Sequence, residues 1–317
     1  MPKLEGIESK QLFGLDVDKE NSECFFNDKE HLYVNKIDGT KYVSVTTLIK
    51  QYEQPFLEEF WSKYKALEAL MDPLDFDSLR EPLKASKRWK DAILDKYKID
   101  RSEFENKVSE ILESWKLNKE EACTHGSYVH SLMENSFYDK TQFDFNRFGF
   151  GEISGDYTCN KNYYELDLEN GVYPEFLMCC TSADGQLKTA GQIDLLVKHG
   201  NDVILVDWKT NKEIKKKGYY DSGLKRNQTM KYPLNEIQDC NYWHYALQLS
   251  CYGYMIQTLR PELNIKGLYI IHIARDGSET RYEVPYLKRE VIRMLNHYKK
   301  SLKIQEQLDK NKPINLC

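Results

Sequence analysis

The sequence predicts an α/β protein, with a mixed central sheet flanked by helices and a mainly helical elaboration before it. Three runs rich in β-branched and aromatic residues lie within 171–209, and a helical pattern follows at 241–259. Short alternating or apolar runs are typical of strands, and a period near 3.6 residues is typical of helices. Residues 55–118 are charged and helical in period. We therefore expect an N-terminal β-hairpin and helical elaboration over 1–118 and an α/β core over 119–317.

The N-terminal part opens with a hairpin signal. Residues 23–52 alternate aromatic and β-branched side chains around Asp38-Gly39, a dipeptide that favours tight hairpin turns. A helix start is expected near Ser44 to Thr47, and Pro82 is expected to interrupt the helical region. In chain order we expect helices over 83–97, 102–116 and 120–138, and then a loop-rich connection over 139–170.

The core part alternates strand and helix patterns. The expected strands are 172–180, 189–198, 203–209, 267–274 and 280–287, the last two meeting at the turn signal Asp276-Gly277. A Lys-rich stretch over 210–239 precedes the expected helix at 241–259. A basic helix over 288–309 is expected to close the chain.

The charge of the chain is unevenly distributed. Over its 317 residues the net charge is −5, with 41% hydrophobic and 13% aromatic residues, which indicates a folded globular protein and only weakly disfavours a nucleic-acid partner. The segment 209–231 carries eight Lys or Arg against two acidic residues, and 288–312 carries eight against three. Setting both aside leaves −16 for the rest of the chain. The sequence therefore predicts basic patches on an acidic protein, although most such runs are solvated surfaces.

The cysteines and the hydropathy exclude several classes of protein. None of the eight cysteines forms a CxxC or CxxxC pair, so we expect reduced thiols and neither a disulfide framework nor a zinc or iron–sulfur site. No apolar run approaches the roughly 18 residues that a membrane span needs, and the first 20 residues lack a signal pattern. The expectation is a protein without a membrane partner.

Two strands place acidic side chains opposite each other. A hairpin centred on Gly200-Asn201 sets Asp194 directly across from Asp207, and Lys209 projects on the same face as Asp207. Like charges across a ladder are destabilising, so a divalent cation held by carboxylate oxygens is the economical compensation. A lysine two residues on would orient or deprotonate water. The alternative is a frayed, solvated hairpin end balanced by Lys209.

Two helical patterns add candidate side chains. Gly126, His130 and Glu134 share one helix face, and a neutral imidazole is a good ligand for a divalent ion. Gln248 and Tyr252 share a face of the next long helix, with His244 one turn before, and would supply donors for a phosphate. The alternatives are an ordinary surface or core histidine and ordinary amphipathic packing.

Taken in order, these segments resemble the PD-(D/E)xK nuclease superfamily and, within it, the RecB-like exonucleases. The matching segments are GSYVHSLME at 126–134, GQID ending at Asp194, DWK at 207–209 and QLSCY at 248–252. The SVTTLI segment at 44–49 is similar to one in mitochondrial genome maintenance exonucleases and many phage nucleases. The resemblance covers most of 30–260 and implies a restriction-endonuclease-like core.

The resemblance also implies a role for each candidate. His130, Asp194, Asp207 and the backbone carbonyl of Trp208 would bind Mg2+ or Mn2+. Lys209 would position the attacking water and stabilise the phosphate, and Glu175 would be a further acidic position. Gln248 and Tyr252 would hold the DNA backbone and the lysine. The lysines expected to form a DNA track are Lys212, Lys215, Lys216 and Lys217.

The expected activity is that of a metal-dependent DNA exonuclease acting on single-stranded ends in phage or bacterial replication, recombination or repair. It would work in the bacterial cytoplasm or the phage-infected cell. The helices over 55–118 would form an arch or lid, and the alternative is that Phe56, Phe60 and Trp61 are core anchors. No GxxxxGK[ST] helicase motif is present, so a separate helicase, recombinase or single-strand-binding protein is a possible partner. The alternatives are a structure-specific or restriction-type endonuclease and a non-catalytic nucleic-acid-binding protein.

Overall fold

The computed structural model describes residues 19–20, 23–27, 29–138, 158–159 and 168–310. Most of the loop-rich connection expected over 139–170 therefore lies outside the described residues. The helices are α1 Val45–Lys50, α2 Glu58–Leu70, α3 Pro73–Ser86, α4 Ala92–Lys96, α5 Arg101–Tyr138, α6 Asn241–Leu259 and α7 Lys288–Lys310. The strands are β1 Lys19–Glu20, β2 Cys24–Asn27, β3 Leu32–Asn35, β4 Lys41–Ser44, β5 Thr158–Cys159, β6 Gly171–Thr181, β7 Lys188–His199, β8 Asp202–Lys209, β9 Tyr220–Asp221, β10 Arg226–Asn227, β11 Asn264–Ile273 and β12 Glu279–Glu283.

One mixed sheet forms the centre of the molecule. The strands follow the order β1-β2-β3-β4-β7-β8-β11-β12 across the sheet. Along one edge of β7 its first part pairs with β4 and its last part with β8, and along the other edge it pairs with β6. The strand β7 is antiparallel to β6 and β8 and parallel to the end of β4, and β8 is parallel to β11. The predicted α/β class with a mixed sheet flanked by helices is confirmed.

Each face of the sheet packs against helices. The helices α1, α6 and α7 cover one face, where Leu205 and Leu247 belong to the larger hydrophobic cluster. The end of α5 covers the other face, where Val129 and Phe137 pack with Trp208. Alternate residues of β8 point to opposite faces, so both sides of this strand are buried. Such burial fixes the position of any polar side chain that the strand carries.

The N-terminal helices have a hydrophobic cluster of their own. Phe60, Phe76 and Phe104 are buried there, together with the start of α5. The helix α5 is continuous over 38 residues and passes through residue 118, the predicted boundary between the helical elaboration and the core. It contains no proline and a single glycine, Gly126, so nothing in its sequence interrupts it. The division at 118 itself stays a prediction.

The predicted local signals have mixed outcomes. The hairpin around Asp38-Gly39 is confirmed, and Ser44 caps α1 by accepting a hydrogen bond from the Thr47 amide at 3.0 Å. The expected helix over 83–97 is wrong, because α3 continues through Pro82 and ends before Lys87, whose φ of 50° is left-handed. The helices expected over 102–116 and 120–138 are one helix, α5. None of the described helices combines the length and the apolar character that crossing a membrane requires.

Candidate metal centre

The strands β7 and β8 separate at the two aspartates. Their ladder runs from His199 opposite Asp202 to Leu195 opposite Val206, which is the register that the Gly200-Asn201 turn predicts. Asp194 and Asp207 come next, beyond the last paired residues. There the Trp208 amide donates a hydrogen bond of 2.7 Å to the Asp194 Oδ2, so a carboxylate takes the place of a strand partner. A buried fork in the sheet is therefore lined by acidic side chains.

A third carboxylate lies in the same row. Pro174 pairs with Leu195 and Phe176 pairs with Ile193, which puts Glu175 across from Asp194 on β6. Glu175 has a φ of 51°, in a left-handed region that costs a residue with a side chain roughly 1–3 kcal/mol. Glu175, Asp194 and Asp207 thus occupy one row across three neighbouring strands. Backbone strain at a functional position is a common feature of binding sites.

His130 approaches this row from α5. Its Nδ1 lies 3.6 Å from the Glu175 Oε1 and 3.6 Å from the Asp194 Oδ2. Its Nε2 lies 3.2 Å from the Trp208 carbonyl oxygen, to which it can only donate. In the neutral ring the Nδ1 lone pair then faces the two carboxylates. Ligand atoms of His130, Glu175 and Asp194 lie within 4.8 Å of one another, so these three residues could hold a metal ion.

Asp207 is held by a lysine and a glutamine. It is 2% exposed, and its Oδ1 accepts a hydrogen bond of 3.2 Å from the Gln248 Nε2. Its Oδ2 lies 2.7 Å from the Lys209 Nζ in an ion pair. Because an ionised carboxylate offers about four lone-pair sites, Asp207 could also bind a cation.

Burial and neighbouring charges shift the pKa values of the side chains in the site. Burial raises the pKa of Asp207 to about 6 and also raises the pKa of Asp194. Burial alone would lower the pKa of His130, but Asp194 and Glu175 outweigh it and raise that pKa to about 9. Burial likewise opposes the charge of Lys209, and Asp207 outweighs it, so its pKa is raised. Like charges held together out of water would be stabilised by an added cation.

The donor set fits a divalent cation. Carboxylate oxygens, a backbone carbonyl and one imidazole nitrogen suit hard or borderline ions and offer no thiolate. The Nδ1 of His130 faces Glu175 and Asp194, and the Oδ2 of Asp207 faces the Lys209 ammonium. His130 would hold such an ion with Glu175 and Asp194, next to Asp207 and the carbonyl of Trp208. Of the predicted ligands, His130 and Asp194 thus lie together with Glu175, whereas Asp207 lies outside the group of ligand atoms within 4.8 Å of one another.

The predicted phosphate-binding pair is buried behind Asp207. Gln248 is 8% exposed and Tyr252 is 3% exposed. The Tyr252 ring packs on β7 at Gly191, where a Cβ atom would lie 2.6 Å from the Tyr252 Cε1. In this structure the two side chains support the acidic row, and their contact with a nucleic acid stays a prediction.

The predicted lysine track lies directly after Lys209. Its four members are exposed: Lys212, Lys215, Lys216 and Lys217. The Lys216 Nζ lies over the rings of Tyr242 and Tyr282, at 5.0 and 5.5 Å from their centroids. The Lys215 Nζ is 2.9 Å from the Glu213 Oε1. The segment therefore presents basic side chains to solvent beside the acidic row.

Tyr245 also lies at the site, although no sequence motif predicts it. Its ring centroid lies 4.8 Å from the Lys209 Nζ, one turn before Gln248 on α6. The spacing of three residues from Gln248 places the two on neighbouring positions of one helix face. The three-residue spacing from Gln248 is the sequence feature from which Tyr245 could have been predicted.

Comparisons with known proteins add no functional information. No family model matches the chain, and no curated protein matches it. A solved structure described as the crystal structure of SSO0001 overlaps 41% of this chain and 50% of that one, with a TM-score of 0.26 and 17% sequence identity. The match spans half of that chain. A likeness this slight carries no argument about fold or function.

Proposed function

We propose that this protein is a metal-dependent DNA exonuclease of the PD-(D/E)xK type, hydrolysing phosphodiester bonds at single-stranded ends. One observation carries the proposal: three carboxylates, a histidine and a lysine converge at a fork between two buried strands. The relevant contacts are His130 with Glu175 and Asp194, and Lys209 with Asp207. Each element of this arrangement has a use in the hydrolysis of a phosphodiester by water.

The chain's own residues would bind and orient the reacting groups. Glu175, Asp194, Asp207 and the carbonyl of Trp208 offer oxygen ligands for Mg2+ or Mn2+, and His130 offers a nitrogen. When bound, the divalent cation acts as a Lewis acid that lowers the pKa of water and offsets phosphate charge. The Trp208 amide keeps Asp194 in place through its 2.7 Å hydrogen bond, and Gln248 does the same for Asp207.

Lys209 would act as a charged donor. Asp207 raises the pKa of Lys209 against the effect of burial, so the side chain is an ammonium at neutral pH. An ammonium orients water and stabilises the negative charge that develops on the phosphate. A protonated lysine has no lone pair and cannot act as a general base. Lys209 would therefore position the attacking water and would not deprotonate it.

A nucleic acid is the substrate that the charge distribution favours. The exposed lysines after β8 continue from Lys209 along the chain, and Tyr219 and Tyr220 are exposed in the same segment. Lysines neutralise a phosphate backbone, and exposed aromatic rings stack on unpaired bases. The combination supports a single-stranded substrate.

The test uses 5′- and 3′-labelled linear and circular single-stranded DNA with Mg2+, Mn2+ or EDTA. We expect cleavage of the linear DNA only, dependent on the metal and lost in Asp207→Asn and Lys209→Ala. Asp202→Asn is the matched control, because Asp202 lies at the opposite end of β8 and contacts Asn264. It should cleave as the unchanged protein does.

Other results would replace the proposal. Cleavage of the circle would indicate an endonuclease, and binding without cleavage at any metal concentration would indicate a binding protein. Cleavage that persists in EDTA, or in Lys209→Ala, would refute the mechanism.

A further inference from the structure

Lys209 is held from two sides. On one side its Nζ lies 2.7 Å from the Asp207 Oδ2. On the other side its Nζ lies over the ring of Tyr245, at 4.8 Å from the centroid. The side chain is 16% exposed, so both contacts act away from bulk water, where a cation is attracted most strongly by an aromatic face.

The Tyr245 ring is itself fixed. Its hydroxyl donates a hydrogen bond of 2.6 Å to the Asn211 Oδ1. The backbone carbonyl of Asn211 accepts a hydrogen bond of 2.6 Å from the His272 Nε2. His272 lies beside Lys209 in the parallel pairing of β11 with β8. Tyr245 is thus linked through Asn211 to His272, which is the strand neighbour of Lys209.

We propose that Tyr245 is a positioning residue that holds the Lys209 ammonium beside the acidic row. The inference rests on the proposed function, in which Asp207 becomes a metal ligand. A carboxylate that shares its charge with a divalent cation attracts the neighbouring ammonium less strongly. The Tyr245 ring is neutral and does not bind the metal, so its attraction for Lys209 is retained when Asp207 is engaged.

The ring and the hydroxyl of Tyr245 have separable roles. Tyr245→Phe keeps the ring and loses the bond to Asn211, whereas Tyr245→Leu loses the ring. For Tyr245→Leu we expect kcat to fall about 3- to 30-fold with KM little changed, since a cation–π contact has this strength. For Tyr245→Phe we expect a smaller loss. Tyr245→Met is a second variant without a ring, to be used if the leucine variant does not fold.

A readout independent of cleavage observes Lys209 directly. The protein is labelled with 13C at the lysine Cε, and the Lys209 signal is assigned by its absence in Lys209→Arg. A methylene next to an ammonium over a ring face is shifted upfield by the ring current. We expect this shift in the unchanged protein and in Tyr245→Phe, with Mg2+ and without it. We expect it to disappear in Tyr245→Leu and Tyr245→Met.

The two proposals fail in different ways. If Lys209 resonates with the exposed lysines, or if the ring-less variants leave its signal and kcat unchanged, the role of Tyr245 is refuted. If the protein cleaves no DNA but the NMR signals behave as expected, the nuclease proposal fails and the placement of Lys209 by Tyr245 stands.

Discussion

Gly191→Ala should disturb the support of the acidic row. The added Cβ would lie 2.6 Å from the Tyr252 Cε1, 2.7 Å from its hydroxyl oxygen and 3.0 Å from its Cζ. Carbon atoms in contact are separated by about 3.5–4.0 Å, so the ring must move by about 1 Å. Tyr252 is 3% exposed and belongs to the larger hydrophobic cluster, so the ring must move within a packed core. Overpacking of this kind costs about 1–3 kcal/mol of unfolding free energy.

Urea denaturation followed by far-UV circular dichroism measures this cost. Gly126→Ala is the matched control, because its Cβ would meet only the Thr210 Oγ1, at an ordinary 3.5 Å. Replacing a glycine inside a helix should leave the protein unchanged or more stable by up to about 1 kcal/mol. The double variant Gly191→Ala with Tyr252→Leu removes the clash, so the two changes should couple by more than about 0.5 kcal/mol. A loss below about 0.5 kcal/mol for Gly191→Ala alone, with no coupling, would refute the assigned contact.

Three further outcomes are expected. The pKa of His130 is about 9 without metal, and ligation needs the neutral ring, so Mn2+ affinity should rise between about pH 6 and about pH 9 with release of a proton. Isothermal titration in buffers of different ionisation enthalpy checks this, and a pH-independent affinity, unaffected by His130→Ala, would contradict it. Asp221→Asn removes the carboxylate that lies 2.5 Å from the Lys87 ammonium, and it should destabilise the β9–β10 hairpin by about 1–3 kcal/mol. Faster amide hydrogen exchange in the hairpin would show this loss. Asp77→Asn is the control, because it breaks an exposed ion pair with Arg80 and should leave the exchange unchanged. Replacing Lys215, Lys216 and Lys217 by Gln should weaken the binding of single-stranded DNA. The slope of the logarithm of the binding constant against the logarithm of the salt concentration should fall in magnitude by about 0.7 for each lysine removed. An equal effect per lysine in Lys300→Gln would argue against a DNA track at 215–217.

The register of the acidic row was predictable from the sequence. The turn at Gly200-Asn201 fixes which residues of β7 and β8 oppose each other, because a period of two leaves only one register that buries the apolar side chains. The identity of His130 as a neighbour of this row followed from the resemblance. Its contact with the Trp208 carbonyl depends on how α5 crosses the sheet, which no local pattern specifies.

Other features depend on tertiary packing. The left-handed φ of Glu175 has no signal in the surrounding residues, since glutamate does not favour that region. The helix α3 passes through Pro82 because Phe76 and Leu83 are buried on either side of it, and this packing outweighs the local cost of the proline. Tyr245 meets Lys209 only because α6 crosses the sheet beside the end of β8. Secondary-structure propensity describes each helix or strand separately, whereas the positions of Glu175, Pro82 and Tyr245 depend on how helices and strands pack against one another.

The continuous helix α5 joins the N-terminal hydrophobic cluster to the acidic row. Phe104 is buried in the helical cluster and His130 lies 26 residues further along the helix, a distance of about 39 Å at 1.5 Å per residue. A displacement of the helical cluster along this axis would move His130 relative to Glu175 and Asp194. If the acidic row binds a metal as proposed, a ligand that favours one position of the cluster would change the metal affinity, and the metal would change that ligand's affinity by the same factor.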